Sequence, residues 1–231
     1  MNEPAPNDVM IIGIDCAAQA KNVGLAKARW SPQGITVEEA RNGHPRECIG
    51  STVAGWAKSC RDRRLPVLLA LDAPLGWPDP LSSTLSSHRA GAQVIETAPA
   101  LFRRMTDYNI KERLGKMPLA VGADRIAWVT VATLKMLQVV RLRLGEAIPL
   151  AWSKHLTDAS AIEVYPAATK LAHAMAVPAG VAPCEFLADE LASRKIRLDR
   201  AIDLCTKKKD VSDALICLVA ADDFLHGRSV A

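Results

Sequence analysis

Two apolar runs, VMIIGID at Val9 to Asp15 and VLLALD at Val67 to Asp72, each end on an aspartate. Neither shows a helical period, so both read as buried strands, and strands buried on both faces run parallel beneath covering helices. Aspartate is depleted in strands and almost never fully buried unless paired. In open α/β sheets, ligands bind just beyond the carboxyl ends of the strands. If the two runs are neighbours, Asp15 and Asp72 stand one inter-strand step apart, about 5 Å. Aspartate after a strand is also a common turn or cap residue. Here both acids have alanine close behind, in Asp15-Cys16-Ala17 and Asp72-Ala73-Pro74, and the pair points to a site. Two carboxylates that close raise one another's pKa unless a cation neutralises them. A divalent ion, Mg2+ or Mn2+, is the natural partner; magnesium typically takes one or two carboxylates with water and phosphate oxygens.

The segments NVGLAKARW and GITVEEARNG are joined by the turn formers of SPQG and, with the first run, predict an antiparallel meander of three strands. RECIGSTVAGWAKSCRDR has helical spacing at Ile49, Val53, Trp56, Ala57 and Cys60. From about 79 to 121 the chain is punctuated by Ser, Pro and Gly, the mark of an irregular insertion with short helices. The long helix of ADRIAWVTVATLKMLQVVRLRL extends that elaboration to about 150. A short strand in AIEVYP follows, then helices from about Cys184, the last running from near Asp210 to Leu225. The expectation is a single α/β domain over 1–231. Its mixed five-stranded sheet, an antiparallel meander followed by parallel strands, is flanked by helices.

An apolar fraction of 49% with 23% charged residues is that of an ordered globular chain. The net charge of +4 is mild, but basic residues cluster at Arg61 to Arg64, Arg103 and Arg104, Arg141 to Leu144 and Lys207 to Lys209. Such patches attract a polyanion, although solvated surface charge and helix C-terminal cations account for each run alone. The six cysteines show neither C-x-x-C nor zinc spacing, and Cys16 and Cys217 lie in apolar segments as buried thiols do. No leader pattern and no membrane-length apolar run occurs. The expectation is a cytoplasmic protein with free thiols and no membrane partner. G-x-S-x-G and H-E-x-x-H are absent, and the histidines (His44, His88, His155, His173, His226) are scattered without ligand spacing.

Three further acids are candidates. In AIEVYP, strand alternation puts Ile162 and Val164 on one face and Glu163 with Tyr165 on the other; a half-exposed strand and a site acid fit equally. In KKKDVSDALICLVAADD, Asp210 and Asp213 stand three apart at the head of a helix. They suit an N-cap with its capping box, and they suit metal ligation, since the dipole keeps Asp213 ionised.

The ordered motifs GIDCA…NVGLA, LALDAPLGWP, FRRMTDY, IEVYPAA and KKKDVSDALICLVAA resemble the DUF429 family, described as predicted nucleases of the ribonuclease H-like fold. The likeness runs from about residue 9 to 225. The opening acid and the Asp-x-x-Asp-Ala-Leu helix are also similar to Holliday-junction resolvases. The resemblance implies Asp15 as first-strand metal ligand, Asp72 as fourth-strand acid, Asp210 or Asp213 from the final helix, and Glu163 as a further catalytic acid. It places Arg104, Asp107, Asp124 and Arg125 along a substrate pocket. Ala17-Ala18 replaces the glycine-rich turn of many relatives. The expected activity is hydrolysis of nucleic-acid phosphodiesters, with two Mg2+ or Mn2+ ions roughly 4 Å apart on the carboxylates. A non-catalytic binding or regulatory module on the same fold is the first rival. A nucleotide-dependent phosphotransferase of the actin and hexokinase type is the second. It is disfavoured because those proteins pack two such lobes and because Gly115-Lys116 lacks the upstream glycine of a phosphate loop.

Overall fold

The computed structural model describes residues 8–61, 65–156 and 158–229. In chain order the strands are β1 (Val9–Asp15), β2 (Gly24–Ser31), β3 (Gly34–Asn42), β4 (Val67–Asp72), β5 (Ala159–Glu163) and β6 (Ile196–Leu198). The helices are α1 (Ile49–Arg61), α2 (Asp79–Ser87), α3 (Ala98–Phe102), α4 (Met105–Leu114), α5 (Asp124–Leu144), α6 (Pro166–Ala172), α7 (Pro183–Ser193) and α8 (Lys209–Leu225). One mixed sheet of six strands has the order β5-β4-β1-β2-β3-β6. The meander β1-β2-β3 is antiparallel, while β4 and β5 add in parallel beside β1.

The sheet has six strands where the sequence predicts five. The sixth, β6, pairs in parallel with β3 through Ile35, Thr36 and Val37. Its three residues, Ile-Arg-Leu, are too few to show a strand period, so only the pairing partner reveals it.

Both faces of β1 and β4 are buried, which explains their unalternating apolar sequence. Val9, Ile11, Leu68 and Ala70 pack on the side of α8, while Met10, Ile12, Ile14, Val67, Leu69 and Leu71 pack on the side of α1 and α5. Helix α8 is buried nearly all round: Ile216, Cys217, Val219 and Ala221 are as covered as the expected stripe of Val211, Ala214, Leu215 and Leu218. Each fully buried Leu or Ile there contributes about 1.5–3 kcal/mol. Glycines set how closely α8 lies on the sheet. A Cβ on Gly13 would collide with the Ala214 carbonyl, and one on Gly24 with the Asp210 carbonyl.

The expectation of free thiols holds for Cys16 and Cys217 and is corrected for one pair. Cys184 and Cys205 form a disulfide with Cα atoms 5.2 Å apart, tying the start of α7 to the turn before α8. Their 21-residue spacing carries no motif; the return of the chain through β6 makes the pair. Cys16, Cys48, Cys60 and Cys217 keep their thiols. Among the described residues, no helix is long and apolar enough to cross a membrane. Of the basic run that begins at Arg61, positions 62–64 lie outside the described residues.

Candidate functional site

Strands β1 and β4 pair in parallel with Asp15 opposite Asp72. Both acids continue the alternation of Val9, Ile11, Leu68 and Ala70, so they leave the sheet on the α8 side. The close seat of α8 over Gly13 and Gly24 brings its first two turns to the same end of the sheet. Asp213 arrives on that helix with only 5% of its surface exposed. Three elements distant in sequence thus deliver three aspartates to one place.

The electrostatics record the crowding. The Asp15 carboxyl is pushed up to about 8, first by burial and then by the charges of Asp72, Asp213 and Asp210, against a pull downward from Lys209. Burial, followed by Asp213, pushes Asp72 up to about 7; Lys209 and Lys170 oppose the rise and Glu163 adds to it. Burial, with Asp72 beside it, also raises the Tyr165 phenol.

Asp213 is not the N3 acid of a capping box. The N-cap of α8 is Lys208, and it makes no side-chain cap. Instead the two Asp213 oxygens are held by two ammonium groups, Lys170 Nζ from α6 and Lys209 Nζ from the first turn of α8. Asp210 is not an N-cap either: its Oδ2 accepts from Asn42 Nδ2 at 3.0 Å, latching the helix to the end of β3. Its charge still reaches Asp15.

Glu163 sits at the end of β5, which pairs Glu163 with Leu71 and not with Asp72. The expected alternation holds, since Ile162 and Val164 lie in the α8-side core. Glu163 therefore turns from the face that Asp15 and Asp72 share. Its Oε2 accepts from Arg104 Nη1 at 2.7 Å and from the Leu75 amide at 3.0 Å. Arg104 also donates Nη2 to Asp107 Oδ1 at 3.0 Å, and its amide donates to Asp107 Oδ2 at 2.9 Å. Asp107 is 0% exposed and closes the capping box of α4. Both of its oxygens are thus spoken for inside the protein. Asp124 and Arg125 lie exposed in the first turn of α5.

Sequence reasoning missed Lys170, Asn42 and the part played by Lys209. Lys209 stands four residues before Asp213, a helical ion-pair spacing that was there to be read. Lys170 and Asn42 reach the site through tertiary placement and leave no local signal.

The donor chemistry suits a hard divalent cation, because Asp15 and Asp72 offer two adjacent carboxylates whose mutual repulsion a cation would remove. Among the described residues, no three Asp, Glu, His or Cys groups are placed so that together they could hold a metal ion, so the carboxylates on offer are the pair Asp15 and Asp72. An apolar cavity of about 230 Å3 lies on the other face of the sheet, between Ile14, Ile49, Met136 and Val139. Among the described residues no acid lines it.

No family model, no curated protein and no solved structure matches this chain.

Proposed function

We propose that the chain is a metal-dependent hydrolase of nucleic-acid phosphodiesters on a ribonuclease H-like α/β fold of the DUF429 kind. The observation that carries this reading is the register of Asp15 against Asp72 at the carboxyl end of a parallel pair, with Asp213 brought over them by α8. The meander followed by parallel strands, and a terminal helix bearing an acid, are features of the resemblance that the architecture supports.

In this reading Asp15 and Asp72 would hold Mg2+ or Mn2+, with Asp213 a further acid whose charge reaches both. Such an ion lowers the pKa of bound water and polarises a phosphoryl oxygen. The chain supplies the rest. Burial strips water from the Asp15 and Asp72 carboxyls, so each favours a strong cation over its free ionised state. Asn42 and Asp210 fix the head of α8, and with it the height of Asp213 above the sheet. Glu163 and Asp107 clamp Arg104 from both sides, which shapes the β5 border of the pocket. Lys208 and Lys209, exposed at the rim, provide positive charge toward a phosphate backbone.

The test is cleavage of labelled single- and double-stranded DNA and RNA in the presence of millimolar Mg2+ or Mn2+. The wild type is expected to cut at least one of them and Asp15→Asn to cut none, with unchanged circular dichroism. Equal activity of the variant would refute the assignment.

The two lysines on Asp213 favour a second reading, a binding module in which the cluster is a permanently neutralised knot without hydrolytic activity. Calorimetric titration with Mn2+ separates the two, since the module takes up no ion at Asp15.

A further inference from the structure

Asp213 is a buried acid whose two oxygens face two ammonium groups that differ in freedom. Lys170 projects from α6 and its side chain is 36% exposed; Lys209 belongs to the first turn of α8 and its side chain is 82% exposed. Of the two, Lys209 is the one whose charge acts on Asp15, Asp72 and Asp213 together. Its ammonium is a mobile point charge on a four-carbon stem, with water on one side and the carboxylates on the other.

We infer that Lys209 is the resident counter-ion of this pocket: its ammonium holds Asp213 while no metal is bound and swings out to solvent when a divalent cation enters. The inference rests on the hydrolase reading and adds a regulation to it. Three neighbouring aspartates in a half-dry pocket need a compensating positive charge wherever they ionise. Lys170 and Lys209 supply it from within the chain, so the pocket holds together without metal. A divalent ion on Asp15 and Asp72 provides the same charge at closer range. The ammonium and the ion then repel each other, and the more exposed lysine is the one that can leave at little cost. Metal affinity is consequently set by a competition that the protein carries in its own sequence.

The experiment is isothermal titration of the full chain with Mn2+ near neutral pH, comparing wild type, Lys209→Met and Lys209→Arg. Thermal melts confirm that each is folded, as expected for a side chain so exposed. Lys209→Met is expected to bind Mn2+ about tenfold more tightly, within the range of ordinary coupling between two bound groups. Lys209→Arg is expected to return toward wild-type affinity, because it restores the charge. Binding by Lys209→Met alone, with none by the wild type, overturns the inference, because the lysine then does not give way to the ion, and it favours the binding module. Equal affinity in wild type and Lys209→Met overturns the inference and leaves the hydrolase reading standing. Absence of Mn2+ binding in all three proteins overturns both.

Discussion

Asp15 on β1 and Asp72 on β4 are register partners in a parallel pair, and both side chains leave the sheet toward α8. A parallel neighbour at this position puts like charges about one strand spacing apart. An alternating surface strand would avoid that arrangement. Here the cost is accepted at the end of the two most buried strands, where the sheet gives way to loops.

That crowding sets a pH dependence. From an ordinary 3.8, Asp15 rises to about 8 and Asp72 to about 7, each above all through burial. The folded chain therefore holds more protons than the unfolded chain between about 4 and 8, and its stability falls as pH rises through that window. Thermal melts of the metal-free protein across that window and just above it should show a declining Tm. Asp15→Asn, which cannot ionise, should flatten the decline and melt higher than wild type at the alkaline end. Parallel profiles for the two proteins would show that Asp15 is not the buried acid described here.

How far the sequence reached is clearest at these same strands. Unbroken apolar runs ending in acid announce strands buried on both faces, and Asp15 beside Asp72 follows once such strands are neighbours. The final helix was equally legible from Val211, Ala214, Leu215 and Leu218. The partners of its acids were not. Periodicity reports how a segment is buried, not which distant side chain meets it. Lys170, Asn42 and the Cys184–Cys205 pair belong to that second kind of information. Glu163 shows the limit well: its face was read correctly from alternation, yet only the β4–β5 register turns it away from Asp72.

Arg104 offers a test that is independent of metal. It bridges Asp107, which is 0% exposed, and Glu163 at the sheet edge. Removing one member of a buried pair leaves the other charge without compensation. Arg104→Met should cost about 3 kcal/mol, moderated by the amide bond that Asp107 retains. Arg104→Met combined with Asp107→Asn should recover part of that loss. Urea unfolding of wild type, Arg104→Met, Asp107→Asn and the double variant measures it, and additive losses would show that the pair is not coupled.

The disulfide makes its own prediction. Closing a loop over a sequence separation of 21, from Cys184 to Cys205, restricts the unfolded chain. Chain-entropy reasoning puts the gain at about 3 kcal/mol for a loop of this order. Cys184→Ser, or wild type in excess dithiothreitol, should unfold at lower denaturant by that amount. Thiol counting under denaturing conditions should find four reactive thiols before reduction, matching Cys16, Cys48, Cys60 and Cys217. Reactivity of every cysteine in the chain would contradict the pairing.

The seat of α8 yields the sharpest link between packing and site. Gly13 lies under the Ala214 carbonyl with no room for a methyl group. Gly13→Ala must therefore lift the helix or bend β1, at a cost of about 1–3 kcal/mol from overpacking. The substitution touches no charged group, yet it moves Asp213 relative to Asp15 and Asp72. Mn2+ affinity by calorimetry should fall in Gly13→Ala even at temperatures where the variant is fully folded. A control at the exposed, roomy Gly91, mutated to Asn, a residue that tolerates its left-handed backbone, should leave affinity unchanged. If Gly13→Ala loses stability but binds the ion as wild type does, the helix seat is structural only and the charge of Asp213 does not bear on the cation at the two strand acids.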